Sequence, residues 1–497
     1  MLAGIVQLCL GPARSGVTID EPTQVERTIS WLEGGDYVPA SLAKTGNSLS
    51  SRYVYGPAFS VVAHTVNSVA GNETWETVSS GEEAVLDRHL LTALFALITA
   101  LVAGVTVGLA SGSRLVGLWT AAVLLAIPIW TGMGFFNPKD TPVAAGYTFF
   151  TASLILVLVS TRRSGRDGWR PGKWDVLIAG LAWAGVFFAV GTRLAMWLPL
   201  LLSTIVFACL ACQAARSGEA GLRWPALFAG SLLGLFSLLI LYPAAFAHPV
   251  EFIPNTLDNS SDYLWSGVTL TAGELLSEHP PWWYLPAWAF ASIPLLIGLS
   301  ALAGMFATLR ALWSALKERS LTRKALEPEV CAALLILTQL LVLPLGSMVV
   351  GSTMYSGLRQ HLYIVPAVAM LSGLGARFLL DWSRIRSQFA QWAVTGGLAL
   401  AVLAPMTEQL MLFPYNYIYV NPAAGLAGIN HRWEGDYWFS SLREASEKVP
   451  VGVPVYCGGV YPDRPFDPAS LELCTNESRP YATQTQHGPP VAPGERW

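Results

Sequence analysis

Between residues 89 and 411 the chain repeats one pattern, an apolar run as long as the hydrocarbon core of a bilayer followed by a short polar break. A membrane-crossing helix needs about 20 mostly apolar residues. Ten runs qualify, near 89–110, 115–134, 142–161, 175–190, 195–214, 225–247, 283–308, 331–351, 362–379 and 389–411. The fourth is short, and only Gly191-Thr192-Arg193 separates it from the fifth. Residues 1–10 are apolar too, at about half the required length, and lack the basic flank of a signal peptide. They are expected to be part of a first membrane helix whose beginning precedes the sequence. Composition supports this reading: 13% of residues are charged and 53% hydrophobic, against roughly a quarter charged in a soluble domain. A soluble globular enzyme is excluded.

The breaks carry an asymmetry that orients the chain. Alternate loops hold Arg114, then Arg162, Arg163, Arg166, Arg170 and Lys173, then Arg216 and Arg223, then Arg310, Lys317, Arg319, Arg323 and Lys324, then Arg377, Arg384 and Arg386. The intervening short loops hold Lys139, Arg193 and Arg359, and residues 248–281 hold no Lys or Arg. Positive charge stays on the cytoplasmic side, so residues 11–88 and the tail 413–497 are expected outside the cytoplasm. The chain thus divides into a partial first helix (1–10), a first outer loop (11–88), a ten-helix membrane domain (89–412) and a tail (413–497).

Within 22–38, Val25, Ile29 and Leu32 recur at helical spacing around Glu26 and Arg27, which predicts an amphipathic helix lying on the membrane. Residues 53–70, mixed aromatic and β-branched, read as a second such segment. In the tail, 451–456 is strand-like, and Cys457 and Cys474 could pair in an oxidising compartment. Cys209 and Cys212 sit in an apolar run with no surrounding His/Cys cluster of metal-ligand spacing. Net charge is −3 without Lys/Arg blocks outside short loops, so no nucleic-acid partner is expected. The sequons at Asn72, Asn259 and Asn476 carry no weight, because such triplets are common by chance.

Ionisable residues are nearly absent from the span interiors. Ion-coupled transporters need carboxylates or bases there as relays, so chemistry is expected at the outer membrane surface instead. The groups available at the outer ends are Asp20, Glu21, Arg27, Arg52, Arg88, His89, Lys139, Asp140, Arg193, Arg359 and His361.

Several of these fall in motifs. Thr18-Ile-Asp20-Glu21-Pro22 follows the first apolar run, Arg88-His89 heads the next, and Phe136-Asn-Pro-Lys139-Asp140-Thr-Pro142 fills a short outer loop. Tyr355-Ser-Gly-Leu-Arg359-Gln-His361 leads into a late span, and Phe413-Pro-Tyr-Asn-Tyr417 and Glu434-Gly-Asp436-Tyr437-Trp438 lie in the tail. In this order, over about residues 18–445, the chain resembles the GT-C glycosyltransferases, family 39, the branch of protein O-mannosyltransferases and lipid A aminoarabinose transferases. The resemblance implies an all-α polytopic membrane protein of about 10–11 transmembrane helices with a small extracytoplasmic C-terminal segment of mixed structure. It also implies an inverting transferase of the plasma membrane. The donor would be a polyprenyl-phosphate sugar, mannose-type, and the acceptor an unidentified hydroxyl on protein, lipid or glycan.

The roles follow from residue type. An acceptor hydroxyl needs a carboxylate to take its proton, and the motif position selects Asp20, with Glu21 beside it. Asp140 would be a second acid near the acceptor or a divalent cation; the family is not uniform on metals, so no metal or other cofactor is assigned. The departing polyprenyl phosphate needs cations, and Arg359 comes first because a planar guanidinium binds phosphate bidentately, followed by Arg88, His361 and Lys139. Each has a plainer reading. Asp20-Glu21-Pro22 is also an ordinary helix start with Asp20 as N-cap, Arg88 could snorkel, and Lys139-Asp140 could be a local ion pair. Arg27 and Arg52 read as solvated loop charges, and residues 280–284 as an aromatic belt or a groove for a prenyl chain. The rival functions are a lipid or solute transporter and a non-catalytic membrane scaffold.

Overall fold

The computed structural model describes residues 1–39, 48–164, 172–216, 223–265, 267–317, 327–441, 444 and 448. The run 451–456, Cys457, Cys474, Asn476 and the basic residues Arg166, Arg170, Arg319, Arg323 and Lys324 lie outside the described residues. Among the described residues nine helices are long and apolar enough to cross a membrane, and a bent pair makes a tenth. All ten predicted runs are found among them, so the chain is a multi-pass, all-α membrane protein.

Two runs differ from their prediction, both at proline. The run 115–134 is two helices, Arg114–Ala126 and Pro128–Phe136, meeting at 67°. Pro128 brings no N–H and crowds the preceding turn. The run 283–308 is likewise Tyr284–Ser292 followed by Leu295–Lys317, with Pro294 in the junction. The short fourth run becomes a full 20-residue helix, Lys173–Thr192, that stops one residue before Arg193.

The helix Asp140–Ser164 is the axis of the bundle: its apolar window is 100% buried, whereas that of the last span, Gln388–Leu412, is 17% buried. Leu232, Phe236 and Ile240 on the helix Trp224–Leu241 are exposed, as lipid-facing side chains must be. Small residues let backbones touch where helices cross. A Cβ on Gly375 would overlap the Ser300 carbonyl oxygen, and one on Gly304 the Leu371 carbonyl oxygen, which closes Leu295–Lys317 onto Ile364–Arg384.

By alternation of the spans, one end of the bundle carries the first loop, the junctions at 137–139, 193 and 351–363, residues 242–283 and the tail. The first loop folds into the helices Glu21–Gly34, Ser48–Val54 and Ala58–Ala70. Gly35 at φ +75° and Gly71 at φ +84° stop two of them, in the left-handed region that glycine tolerates. Residues 242–283 add the helix Pro249–Ser261 and an antiparallel hairpin, Thr269–Thr271 with Glu274–Leu276, paired Thr269 to Leu276. The tail is stitched back onto this end. Thr271 bridges to Trp433, the Asn421 N–H donates to the Ala291 carbonyl at 2.8 Å, and Asn416 Nδ2 donates to Gln7 Oε1 at 2.8 Å.

The helix Glu21–Gly34 corrects an expectation. Its polar positions Glu21, Gln24, Arg27 and Thr28 are the buried ones, while Val25, Ile29 and Leu32 are half-buried. The protein presents a polar interior at this end, so the polar face turns inward.

Candidate active site

Asp20 occupies the N-cap position of Glu21–Gly34 but makes no side-chain capping bond. Its carboxylate turns away from the helix, and Oδ2 accepts from Lys139 Nζ at 2.7 Å and from Arg359 Nη1 at 3.0 Å. The plainer reading of Asp20 as a helix cap therefore fails. Burial would push this carboxyl up, but the two cations outweigh it and hold it far below the usual carboxylate range.

Lys139 and Asp140 are not paired with each other. Asn137 Oδ1 accepts from the N–H groups of Lys139 (3.0 Å) and Asp140 (2.8 Å), a turn that aims the two side chains apart. Asp140 Oδ1 accepts from Arg193 Nη2 at 2.8 Å, and Arg193 Nη1 donates to the Gln360 carbonyl at 3.0 Å. One continuous network thus runs Asp20, Lys139, Arg359, Gln360, Arg193, Asp140, drawing on four separate junctions at the same end of the bundle.

Aromatic rings wall it. The Arg359 guanidinium lies over Tyr355 (4.7 Å) and Trp438 (4.9 Å), and Tyr355 stacks on Trp265. Tyr55 faces Arg27 (4.5 Å) and Lys139 (5.3 Å). Arg27, expected to be solvated, is 2% exposed, and its Nε and Nη1 have no hydrogen-bond partner among the described residues. A buried cation satisfied only by rings is ready for an anion. Arg52, also expected in solvent, is half-buried and paired with Asp36.

The other predicted residues fall elsewhere. Glu21 accepts from the Thr18 N–H (2.6 Å) and hydroxyl (3.0 Å) and from His89 Nε2 (2.8 Å), clamping the first loop to the helix Glu82–Ala110. It acts as a strut and is not in contact with Asp20's cations. Arg88, expected to hold phosphate, is ion-paired with Glu73, itself bonded to His64 at 2.8 Å, and donates to the Ser79 carbonyl. Glu73 is wholly buried and needs that counter-charge. His361 was also expected at the phosphate. Its Nε2 meets Ser347 Oγ at 3.1 Å, and burial beside Arg193 pushes its imidazole down to about 3, so it is neutral. Trp282 of the expected aromatic belt is exposed, but Tyr284 is core, its hydroxyl donating to the Gly357 carbonyl.

Among the described residues no three His, Cys, Asp or Glu side chains converge as a metal-ligand set, and Asp20 and Asp140 each face a cationic side chain. Sequence reasoning gave Arg193, Arg27, Tyr55 and Trp438 no role. For Arg193 a signal existed, the scarcity of positive charge at this end, and for Trp438 its place in the tail motif; for Tyr55 there was none.

Glu434 adds a testable pH dependence. Burial, opposed by Arg359, pushes its carboxyl from 4.5 up to about 7. Between those values the folded chain keeps a proton that the unfolded chain gives up, so this residue lowers stability as pH rises through that window. Glu434→Gln should unfold at the wild-type temperature near pH 5 and above it at about pH 8, read by thermal unfolding in detergent. A gap independent of pH would disprove it.

No family model matches the chain, and no curated protein does. Solved structures do. ArnT from Cupriavidus metallidurans bound to undecaprenyl phosphate aligns with TM-score 0.50 and 13% identity, over 92% of this chain and 81% of that one. The Archaeoglobus fulgidus oligosaccharyltransferase in the apo form aligns at 0.53 and 12% identity, over all of this chain and 62% of that one. The fold is GT-C. AglB from Archaeoglobus fulgidus in complex with an inhibitory peptide and a dolichol-phosphate aligns at 0.51 and 12%, and this chain spans 61% of it. At such identities the likeness is one of fold. Within this GT-C chain the charged network lies where the first loop, the late-span junction and the tail converge.

Proposed function

We propose that this chain is a membrane glycosyltransferase that moves a mannose-type sugar from a polyprenyl-phosphate donor to an acceptor hydroxyl, with inversion. The observation that carries the reading is the Asp20 carboxylate held at 2.7 and 3.0 Å by two buried cations at one end of a membrane bundle. Two structures of similar fold were solved with a polyprenyl phosphate, undecaprenyl in one and dolichol in the other. The positive-inside rule favours this end facing away from the cytoplasm, in this reading at the outer face of the plasma membrane.

In this reading the donor phosphate competes with Asp20 for Arg359 and Lys139, and Arg27 supplies a third cation. As they pass to the phosphate the carboxylate is released and its proton affinity rises. Asp20 then takes the acceptor proton. The acceptor oxygen bonds to the anomeric carbon from the face opposite the phosphate, the carbon–phosphate oxygen bond breaks, and the electron pair leaves with the phosphate. The charge that develops there is met by cations already in place. Asp140 orients Arg193, and Glu21 fixes the loop that carries Asp20.

The test is to supply membranes containing the protein with a panel of radiolabelled polyprenyl-phosphate sugars. Label should pass to a hydroxyl-bearing acceptor, with the mannosyl donor preferred. Lipid or solute moved across vesicles without a new glycosidic bond would favour a transporter, and full complementation of a deletion by Asp20 and Asp140 variants would favour a scaffold.

A further inference from the structure

Beside Tyr55 lies a cavity of about 110 Å³ between the junctions at 193–196 and 351–363, the helix Pro249–Ser261 and the end of Pro328–Val350. By the usual allowance per water it has room for roughly seven to eleven atoms of that size, about the heavy-atom count of one monosaccharide. Several polar atoms on its wall are left unbonded. Thr353 Oγ1, Tyr363 OH, His361 Nδ1 and Arg193 Nε are all buried and have no hydrogen-bond partner among the described residues. Native proteins leave few such atoms, and each is expensive without a partner. Four around one cavity call for a ligand rich in hydroxyls.

The charge of the wall selects among such ligands. No Asp or Glu lines the cavity, its one cation is Arg193, and that cation is already paired with Asp140 at 2.8 Å. His361 is neutral. A ligand carrying an ammonium would sit beside Arg193 with no acid to receive it. A ligand carrying a carboxylate would meet a guanidinium whose charge is already matched. Ser347, Ser352 and Thr353 offer hydroxyls of the kind that pair with sugar hydroxyls without charge.

Tyr55 connects this cavity to the reacting centre. Its ring faces both Lys139 and Arg27, its backbone bridges to Arg193, and it lines the cavity. A phosphate on Arg359 and Lys139 would therefore have its esterified sugar within reach of the cavity. We propose that the cavity is the sugar subsite of the donor and that it takes a single uncharged sugar, excluding amino sugars and uronic acids. The inference rests on the transferase reading and adds to it the residues and the charge class of the sugar.

Tyr363→Phe and Thr353→Val test it. Each removes a hydroxyl that bonds to nothing in the described protein, so neither should lower thermal stability. With purified full-length protein in nanodiscs, each should raise the KM for a polyprenyl-phosphate hexose by about five- to tenfold, the weight of one hydrogen bond. Binding of polyprenyl phosphate without a sugar should stay at the wild-type Kd. Wild type should use hexose or pentose donors at least about tenfold better than amino-sugar or uronate donors. Equal use of a charged sugar, or variants that leave the donor KM unchanged because water alone fills the cavity, would overturn the subsite. A wild-type protein that binds no polyprenyl phosphate would overturn the transferase reading itself, and the subsite with it.

Discussion

Asp20→Asn is expected to cut sugar transfer by about 10²- to 10⁴-fold, the usual weight of a positioned general base, while polyprenyl phosphate binds as well as before or better. The two halves of this outcome come from one geometry. The carboxylate shares Lys139 and Arg359 with the phosphate that must displace it, so removing its charge removes a competitor along with the base. Turnover with a labelled donor and binding of the bare lipid phosphate, measured side by side, separate the roles. Loss of both would make Asp20 a scaffold for the cations, and wild-type turnover would end the mechanism.

Arg359→Ala should act in the opposite sense, with binding falling first. The residue is 6% exposed, donates to Asp20 and is sandwiched by Tyr355 and Trp438. Truncating one partner of a buried, hydrogen-bonded charge pair at a binding site costs about 2–5 kcal/mol, which corresponds to roughly thirtyfold or more in affinity. The Kd for polyprenyl phosphate should rise by that factor. Arg359→Lys should recover only part of it, since an ammonium keeps the charge and loses the planar fork and the stacking. Full recovery by lysine would mean that the site needs only a point charge there.

The membrane architecture was legible because lipid imposes a single demand on every span: all ten runs were found, and the two discrepancies arise at Pro128 and Pro294, where apolarity continues but the helix cannot. Asp20, Lys139, Asp140 and Arg359 were legible as a group from their motifs and from the scarcity of charge at their end. Their pairing was not. Adjacent Lys139 and Asp140 reach different partners because the Asn137 turn splays them, and no sequence rule encodes which of several distant cations a carboxylate meets. Arg27 was misread for a different reason. An amphipathic pattern says that a helix has two faces, and the rule that the apolar one is buried assumes an apolar interior; here the interior at that end is a polar site.

The pair between Asp20 and Arg359 joins positions 339 residues apart in the chain. Spans can enter the bilayer one after another as the ribosome delivers them, but the proposed reacting centre has no precursor in that series. A nascent chain holding the first eight spans would carry Asp20 without its guanidinium and without the tail that brings Trp438 over Arg359. In the proposed reading, competence therefore arrives late, after the segment around residue 359 docks and the tail folds back. A chain halted before that point would be membrane-bound, stable against extraction and chemically silent.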